Sequence, residues 1–152
     1  MIQKYYPEII GTFFCLFLGM FFGLSVDPDL VWYQTLQKPF FSPPSWVFGP
    51  VWTVLYIMIG IVGGIVWKQR QKNPTLMMLF IVQLSLNCIW SPLFFYYHAL
   101  LIALIDIVIL WGLLVTFLLL VVKDRMLFYL WLPYVVWVSF ALLLNSAFYY
   151  LN

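Results

Sequence analysis

Long stretches of the chain carry no charge, and the few charged residues fall between them. The first apolar run extends from Ile9 to Val26 and stops at Asp27-Pro28-Asp29, a turn signal. The second, Trp46 to Trp67, follows Pro43-Pro44, and proline suits a first helical turn. It ends in the polar stretch from Lys68 to Pro74. From Thr75 to Val122 only Asp106 is charged, and as one helix these 48 residues would reach about 72 Å at about 1.5 Å per residue. The hydrocarbon core of a bilayer is only about 30 Å thick. The run must therefore turn back once, most readily at Tyr96-Tyr97-His98. Lys123-Asp124-Arg125 close it, and a last run extends from about Leu127 to Tyr150. The pattern predicts an all-α membrane protein, a single domain over residues 1–152. Its five transmembrane helices would lie at about 6–26, 44–67, 75–96, 99–122 and 126–150, with a Pro- and aromatic-rich loop between the first two.

Composition narrows the classes further. The 152 residues are 66% hydrophobic and 8% charged, against roughly 45–50% and about 25% in soluble domains. A soluble chain of this length has no interior large enough for so much apolar surface. A net charge of +2 gives no reason to expect nucleic acid as a partner. Cys15 and Cys88 lie in apolar runs and read as small hydrophobes, so neither a disulfide nor a metal site is expected. With one early Lys and no small-x-small site after the first run, that segment is expected to be retained rather than cleaved. Lys4, Lys68, Arg70, Lys72, Lys123 and Arg125 collect on one side of such a bundle, and Lys38 stands alone on the other. That bias predicts the N-terminus inside, the C-terminus outside, and the long loop outside.

The loop, DPDLVWYQTLQKPFFSPPSW, is not a hydrophilic tether. Prolines stiffen it and its aromatics offer large contact areas. It reads as an ordered lid over the bundle, with an aromatic segment lying among headgroups as the alternative.

Aromatic residues make up 22% of the chain, with 8 Trp, 10 Tyr and 15 Phe, more than interfacial belts require. Trp32, Trp46 and Trp67 lie near span ends and suit the belt or the lid. Others fall on polar faces. Asn87, Trp90, Ser91 and Phe94 share one face of the third span, and Tyr134, Trp137, Ala141 and Asn145 lie close to one face of the fifth. Phe48, Trp52 and Tyr56 repeat every four residues in the second. Asp106 is the one ionisable residue deep in any span. Polar groups in hydrocarbon face the bundle interior, so these faces predict a central cavity with flat apolar walls and few polar anchors, suited to a large, flat, mostly apolar ligand. For Asn87 and Asn145 interhelical bonding is an equal alternative, and Asp106 reads more readily as a helix–helix partner than as a catalytic acid. Pro92 and Pro133 are expected to kink their helices. Gly11, Cys15, Gly19 and Gly23 form a small-residue stripe, open to a neighbouring helix or to the same helix of a second copy. Gly60 and Gly64 repeat the pattern in the second span. His98 is the only histidine, which leaves no His-based metal cluster and no Ser-His-Asp triad, and no phosphate-binding glycine loop is present.

Four blocks in order carry a likeness to a known family: WYQTLQKPFFSPPSWVFGPVWTVLY, LNCIWSPLFF, ALIDI and LPYVVWVSFALLLN. With them the chain resembles the translocator protein family, also called the tryptophan-rich sensory protein or peripheral benzodiazepine receptor family, as a bacterial member in a cell membrane. The resemblance implies a five-helix bundle, commonly a homodimer. It implies a cavity beneath the first loop that takes porphyrins such as protoporphyrin IX and drug-like isoquinolines and benzodiazepines, in tetrapyrrole regulation or stress sensing. It places Trp52, Asn87, Trp90, Trp137 and Ala141 in the pocket and makes Asp106 the intramembrane acid. Tyr33, Pro43, Phe48, Tyr56, Ser91 and Phe94 complete the expected ligand-binding set. The family's reported light-dependent porphyrin breakdown makes Trp52 and Trp137 the catalytic candidates. The family's late cholesterol motif is not matched, since Tyr149 and Tyr150 are followed by Leu151 and Asn152 without a basic residue. Three readings remain: a porphyrin-binding protein in which porphyrin is ligand rather than resident cofactor, a photo-oxidative porphyrin-degrading enzyme, and a porphyrin or sterol transporter. The absence of an internal repeat weighs against the last. A second copy, through Gly11, Gly19 and Gly23, and membrane lipid are the expected partners.

Overall fold

The computed structural model describes residues 5–24 and 30–152. Six α-helices account for most of them: α1 (Tyr6–Leu24), α2 (Leu30–Thr35), α3 (Phe48–Gln69), α4 (Pro74–Ser91), α5 (Leu100–Leu120) and α6 (Arg125–Leu151). No strand occurs among the described residues. Five segments are long and apolar enough to cross a membrane: α1, α3 with its preceding 3-10 turn, α4 with its following turn, α5 and α6. The short α2 sits inside the first loop and was not foreseen from the apolar pattern.

Local signals set the helix ends. Pro74 starts α4 at a position where its missing N–H costs nothing. Asp124 caps α6, its carboxylate accepting from the backbone N–H groups of Met126 and Leu127 at 3.1 and 3.2 Å. Pro92 ends α4, and the chain continues as a π-helical turn, Pro92–Tyr96, before reversing at the expected place. His98 lies in that reversal with φ 52°, the only described non-glycine residue in the left-handed region. Pro133 lies within α6, which continues through it.

Neighbouring pairs run α1–α3, α3–α6, α6–α5, α5–α4 and α4–α1, which closes a ring, and α3 also reaches α4 across it. The α1–α3 seam is the tightest. A Cβ on Gly11 would stand 2.5 Å from the Gly60 carbonyl oxygen, and one on Gly60 would stand 2.6 Å from the Gly11 oxygen. Glycine is required there because the two backbones touch. The small-residue stripe is thus consumed inside one chain: Gly11 meets α3, and Gly19 lies under the Tyr56 ring. Of the stripe, Gly23 alone has open space.

The α5–α6 pair is pinned by two indole bonds, Trp111 Nε1 to Ser139 Oγ at 2.8 Å and Trp131 Nε1 to the Leu114 carbonyl at 3.1 Å. The main core lies around fully buried Trp131, Tyr134, Phe117, Leu114 and Ile59. A smaller cluster, Phe94, Ala103, Leu144 and Phe148, lies beneath α2.

Candidate functional site

Two cavities stand out among the described residues of the bundle. The larger, about 830 Å³, is a crevice between α1 and α4, lined by Phe14, Cys15, Phe80, Leu84 and Cys88 among others. It is apolar almost throughout, with Ser85 and Tyr6 as its few polar contributions. The other, about 640 Å³, lies in the half of the bundle that carries the α1–α3 loop. It combines aromatic walls with convergent polar groups, the make-up of a small-molecule site, and attention centres on it.

Three of the helices that wall it do so at the spacings read from the sequence. Phe48, Trp52 and Tyr56 come from α3, and Asn87, Trp90, Ser91 and Phe94 from α4 and its continuation. Trp137, Ala141 and Asn145 come from α6. The helical repeat of about 3.6 residues brings each set to one face. Trp52 leans on Tyr56 with ring centroids 5.5 Å apart, Trp90 stacks on Phe94 at 5.1 Å, and Phe48 meets Trp137 edge-on at 6.0 Å.

The inner end is closed by a chain of hydrogen bonds. Tyr56 Oη donates to Asn87 Oδ1 at 2.7 Å, and Asn87 Nδ2 donates to Tyr134 Oη at 2.9 Å. Tyr134 Oη in turn donates to Gln83 Oε1 at 3.0 Å, and Gln83 Nε2 to the Phe80 carbonyl at 3.0 Å. This chain ties α3, α4 and α6 together. Asn87 therefore bonds between helices as well as lining the cavity.

The loop closes the outer end. Tyr33 lines the cavity and packs on Phe95 and Phe148, each at 5.7 Å between centroids. Burial pushes its phenol above the ordinary range, so it stays a neutral hydrogen-bonding group. Lys38 Nζ stands 4.5 Å over the Tyr33 ring. Trp32 stacks on His98 at 4.0 Å. Asn152 clasps the loop from α6: its Oδ1 accepts from Gln37 N at 2.8 Å, and its Nδ2 donates to the Gln37 carbonyl at 3.2 Å. The described part of the loop is an ordered cover; residues 25–29 of it lie outside the described residues.

Two expected residues stand elsewhere. Pro43 does not line the cavity, where Ser45 is the loop's nearer contribution. Asp106 is 6% exposed and sits behind the wall, with Ile107 and Leu110 facing the cavity in its place. A carboxyl can share a helix with lining residues and still lie off their face.

Sequence reasoning missed Leu144, Phe148 and Phe95, and the whole contribution of α1, including Leu16 and Met20. Extending the Trp137–Ala141 spacing by three and seven residues reaches Leu144 and Phe148. In α1 the spacing marks only the small-residue stripe, of which Gly19 and Gly23 reach the cavity.

Three polar side chains at the cavity stand out. Trp90 Nε1, Trp137 Nε1 and both amide atoms of Asn145 are buried without a hydrogen-bond partner. A buried polar group left unbonded costs roughly 1–3 kcal/mol, so each of these departs from the usual satisfaction of buried polar groups. No group of three or more His, Cys, Asp or Glu able to hold a metal occurs among the described residues.

Known proteins resemble this chain over most of its length. The TspO/MBR family matches residues 11–151. The chain is 38% identical to the tryptophan-rich protein TspO of Archaeoglobus fulgidus over 152 residues, covering 99% of this chain and 98% of that one. It is 41% identical to the tryptophan-rich protein TspO of Chlorobaculum tepidum over 145 residues, covering 91% and 90%. It is 39% identical to the human translocator protein over 101 residues, covering 62% and 60%. With the family match running nearly end to end over five membrane-length helices, the chain belongs to the TspO/MBR family of integral membrane proteins.

Proposed function

We propose that this protein binds large, flat, mostly apolar ring systems, porphyrins of the protoporphyrin IX type and drug-like isoquinolines or benzodiazepines among them, in the cavity beneath its first loop. The observation that carries the reading is the cavity of about 640 Å³ walled by Trp52, Trp90 and Trp137, with few polar groups between them. Indole faces offer stacking area at low conformational cost. The volume falls in the range of about 300–1,000 Å³ usual for small-molecule sites. Lys38, held over Tyr33 at the rim, is placed to attract the acidic edge of such a ligand. On the basic-residue bias, the N-terminus lies inside, and the cover and cavity mouth lie on the outer side of the cell membrane.

The test uses purified protein in lipid nanodiscs. Protoporphyrin IX is expected to quench tryptophan emission saturably. Combining Trp52→Phe with Trp137→Phe should weaken binding at least fivefold, whereas Trp46→Phe, at a residue 75% exposed and away from the cavity, should leave it unchanged. Equal binding by all three proteins would overturn the assignment of the cavity.

A further inference from the structure

The larger cavity differs from the one beneath the loop in opening sideways. It lies along α1 and α4, the loosest seam of the ring. Buried Leu84 and Cys88 of α4, with Gly63 and Gly64 of α3, form its back. Ile10 and Phe14 of α1 and Ile81 and Ile89 of α4 form its edges, and all four are exposed. Both α1 and α4 are long and apolar enough to cross a membrane, so a gap between them faces hydrocarbon rather than water. The apolar space of about 830 Å³ is therefore filled from within the bilayer.

One end of this crevice carries positive charge. Trp67, near the end of α3, lines it there. The Arg70 guanidinium lies over the Trp67 ring, 4.3 Å from its centroid, and Nη1 donates to the Trp67 carbonyl at 2.8 Å. Two contacts with one lining residue thus hold a guanidinium at the mouth. A guanidinium presents five N–H donors in a fixed fork, so the bond to Trp67 leaves the others for a phosphate, which the fork meets bidentately. Lys72 follows two residues later. Glu8, the acid at this end, is bonded to Lys68 at 2.5 Å, and among the described residues neither Arg70 nor Lys72 enters an ion pair.

Basic residues gather on this side of the bundle for reasons of topology alone, so their presence is not the argument; their placement is. Lys123 and Arg125, on the same side, line neither cavity, whereas Arg70 is fixed to a residue that lines the crevice. Length agrees as well. Along α4 the lining runs from Met77 to Ile89, a rise of about 18 Å at about 1.5 Å per residue. Half of a hydrocarbon core of about 30 Å is about 15 Å. The crevice is thus as deep as one leaflet, with cations at the level where headgroups lie.

We propose that the α1–α4 crevice is a binding site for an anionic phospholipid of the leaflet on the basic side, with one acyl chain in the groove and the phosphate on Arg70. Net negative charge is selected because a zwitterionic headgroup would bring its own ammonium beside Arg70 and Lys72. The test places the protein in nanodiscs of equal parts palmitoyl-oleoyl phosphatidylglycerol and palmitoyl-oleoyl phosphatidylcholine. Native mass spectrometry after release counts the lipids each chain retains and reads its state of association. Three variants are compared with the wild type. Arg70→Gln removes the cation at the mouth. Ser85→Trp fills the crevice from an exposed position whose hydroxyl bonds only within its own helix, to the Ile81 carbonyl. Arg125→Gln removes a basic residue of the same side that lines neither cavity.

The wild type should retain one phosphatidylglycerol per chain, at least fivefold in preference to phosphatidylcholine. Arg70→Gln should lower that preference at least threefold, Ser85→Trp should abolish the retained lipid, and Arg125→Gln should change the preference by less than 1.5-fold. Arg70→Lys, which keeps the charge and loses the fork, should fall between Arg70→Gln and the wild type. Arg70 is exposed and outside the packed core, so its variants carry the test if Ser85→Trp does not fold. Equal retention of the two lipids by the wild type overturns the proposal. An equal drop in Arg70→Gln and Arg125→Gln identifies diffuse attraction to an anionic surface and overturns the site. Loss of self-association in Ser85→Trp with lipid retention unchanged identifies the crevice as an interface between copies and overturns it likewise.

Discussion

Trp32 lies almost flat on the imidazole of His98, with 4.0 Å between ring centroids and 17° between planes. One ring belongs to the cover over the cavity and the other to the turn between α4 and α5. His98 holds its ring there from a left-handed backbone, φ 52°. That conformation costs a non-glycine residue about 1–2 kcal/mol.

The latch and the strain can be separated by substitution. Both His98→Ala and His98→Gly remove the stacking partner, and each should speed dissociation of a cavity-bound ligand by about threefold to tenfold, the worth of an aromatic pair of about 0.5–1.5 kcal/mol. His98→Gly should nevertheless be the more stable of the two by about 1 kcal/mol, because glycine adopts positive φ freely. Stopped-flow release of protoporphyrin and thermal melts measure the two effects independently. Equal release from all three proteins would show that the stack does not hold the cover.

The α1–α3 seam predicts a sharp positional contrast between glycines. Gly60→Ala places a methyl against the α1 backbone, and overpacking of this kind costs about 1–3 kcal/mol. Gly112→Ala on α5 meets nothing within 4 Å and should be neutral or stabilising by up to about 1 kcal/mol through helix propensity. Melting midpoints in a single detergent compare them directly.

Tyr134 stands in the middle of the inner hydrogen-bond chain, accepting from Asn87 and donating to Gln83. Tyr134→Phe strips both at once. Hydrogen bonds between membrane helices average about 0.6 kcal/mol and reach about 1.7, so a loss of roughly 1–3 kcal/mol is expected. Tyr56→Phe removes only the bond to Asn87 and should cost less. A double-mutant cycle should then return a coupling energy well above zero, since both hydroxyls bond to the same amide.

Asp124 is the cap of α6. Asp124→Ala should destabilise the protein by about 1 kcal/mol, whereas Asp124→Asn, which keeps a side-chain acceptor, should stay within a few tenths. Chemical unfolding of the two variants side by side provides the measurement.

Most of the fold was legible in the apolar runs, because a membrane span is defined by length and the absence of charge, both of which are local. The turn after the third span lies where Tyr96-Tyr97-His98 suggested, for the same reason. The faces carrying Trp52, Trp90 and Trp137 were legible from helical spacing, and the structure brings all three to one cavity. Asp106 shows the limit of that reasoning. Its rarity in hydrocarbon drew attention, yet its angular position on α5 leaves it behind the wall rather than in it. The stripe of Gly11 and Gly19 shows another limit. Spacing marks a surface that another helix can approach closely, and only the packed bundle reveals that α3 takes it.

The sequence by itself determined the class, the number of spans and which helix faces carry the aromatic and amide groups. Each of these follows from composition and from the 3.6-residue repeat acting within one segment. The tertiary structure alone decided which amide is satisfied. Asn87 and Asn145 look alike along the chain. One finds two tyrosine hydroxyls across the bundle, and the other finds none. Hydrogen-bond satisfaction depends on atoms brought together from distant segments to within about 3 Å, a distance that no one-dimensional pattern specifies.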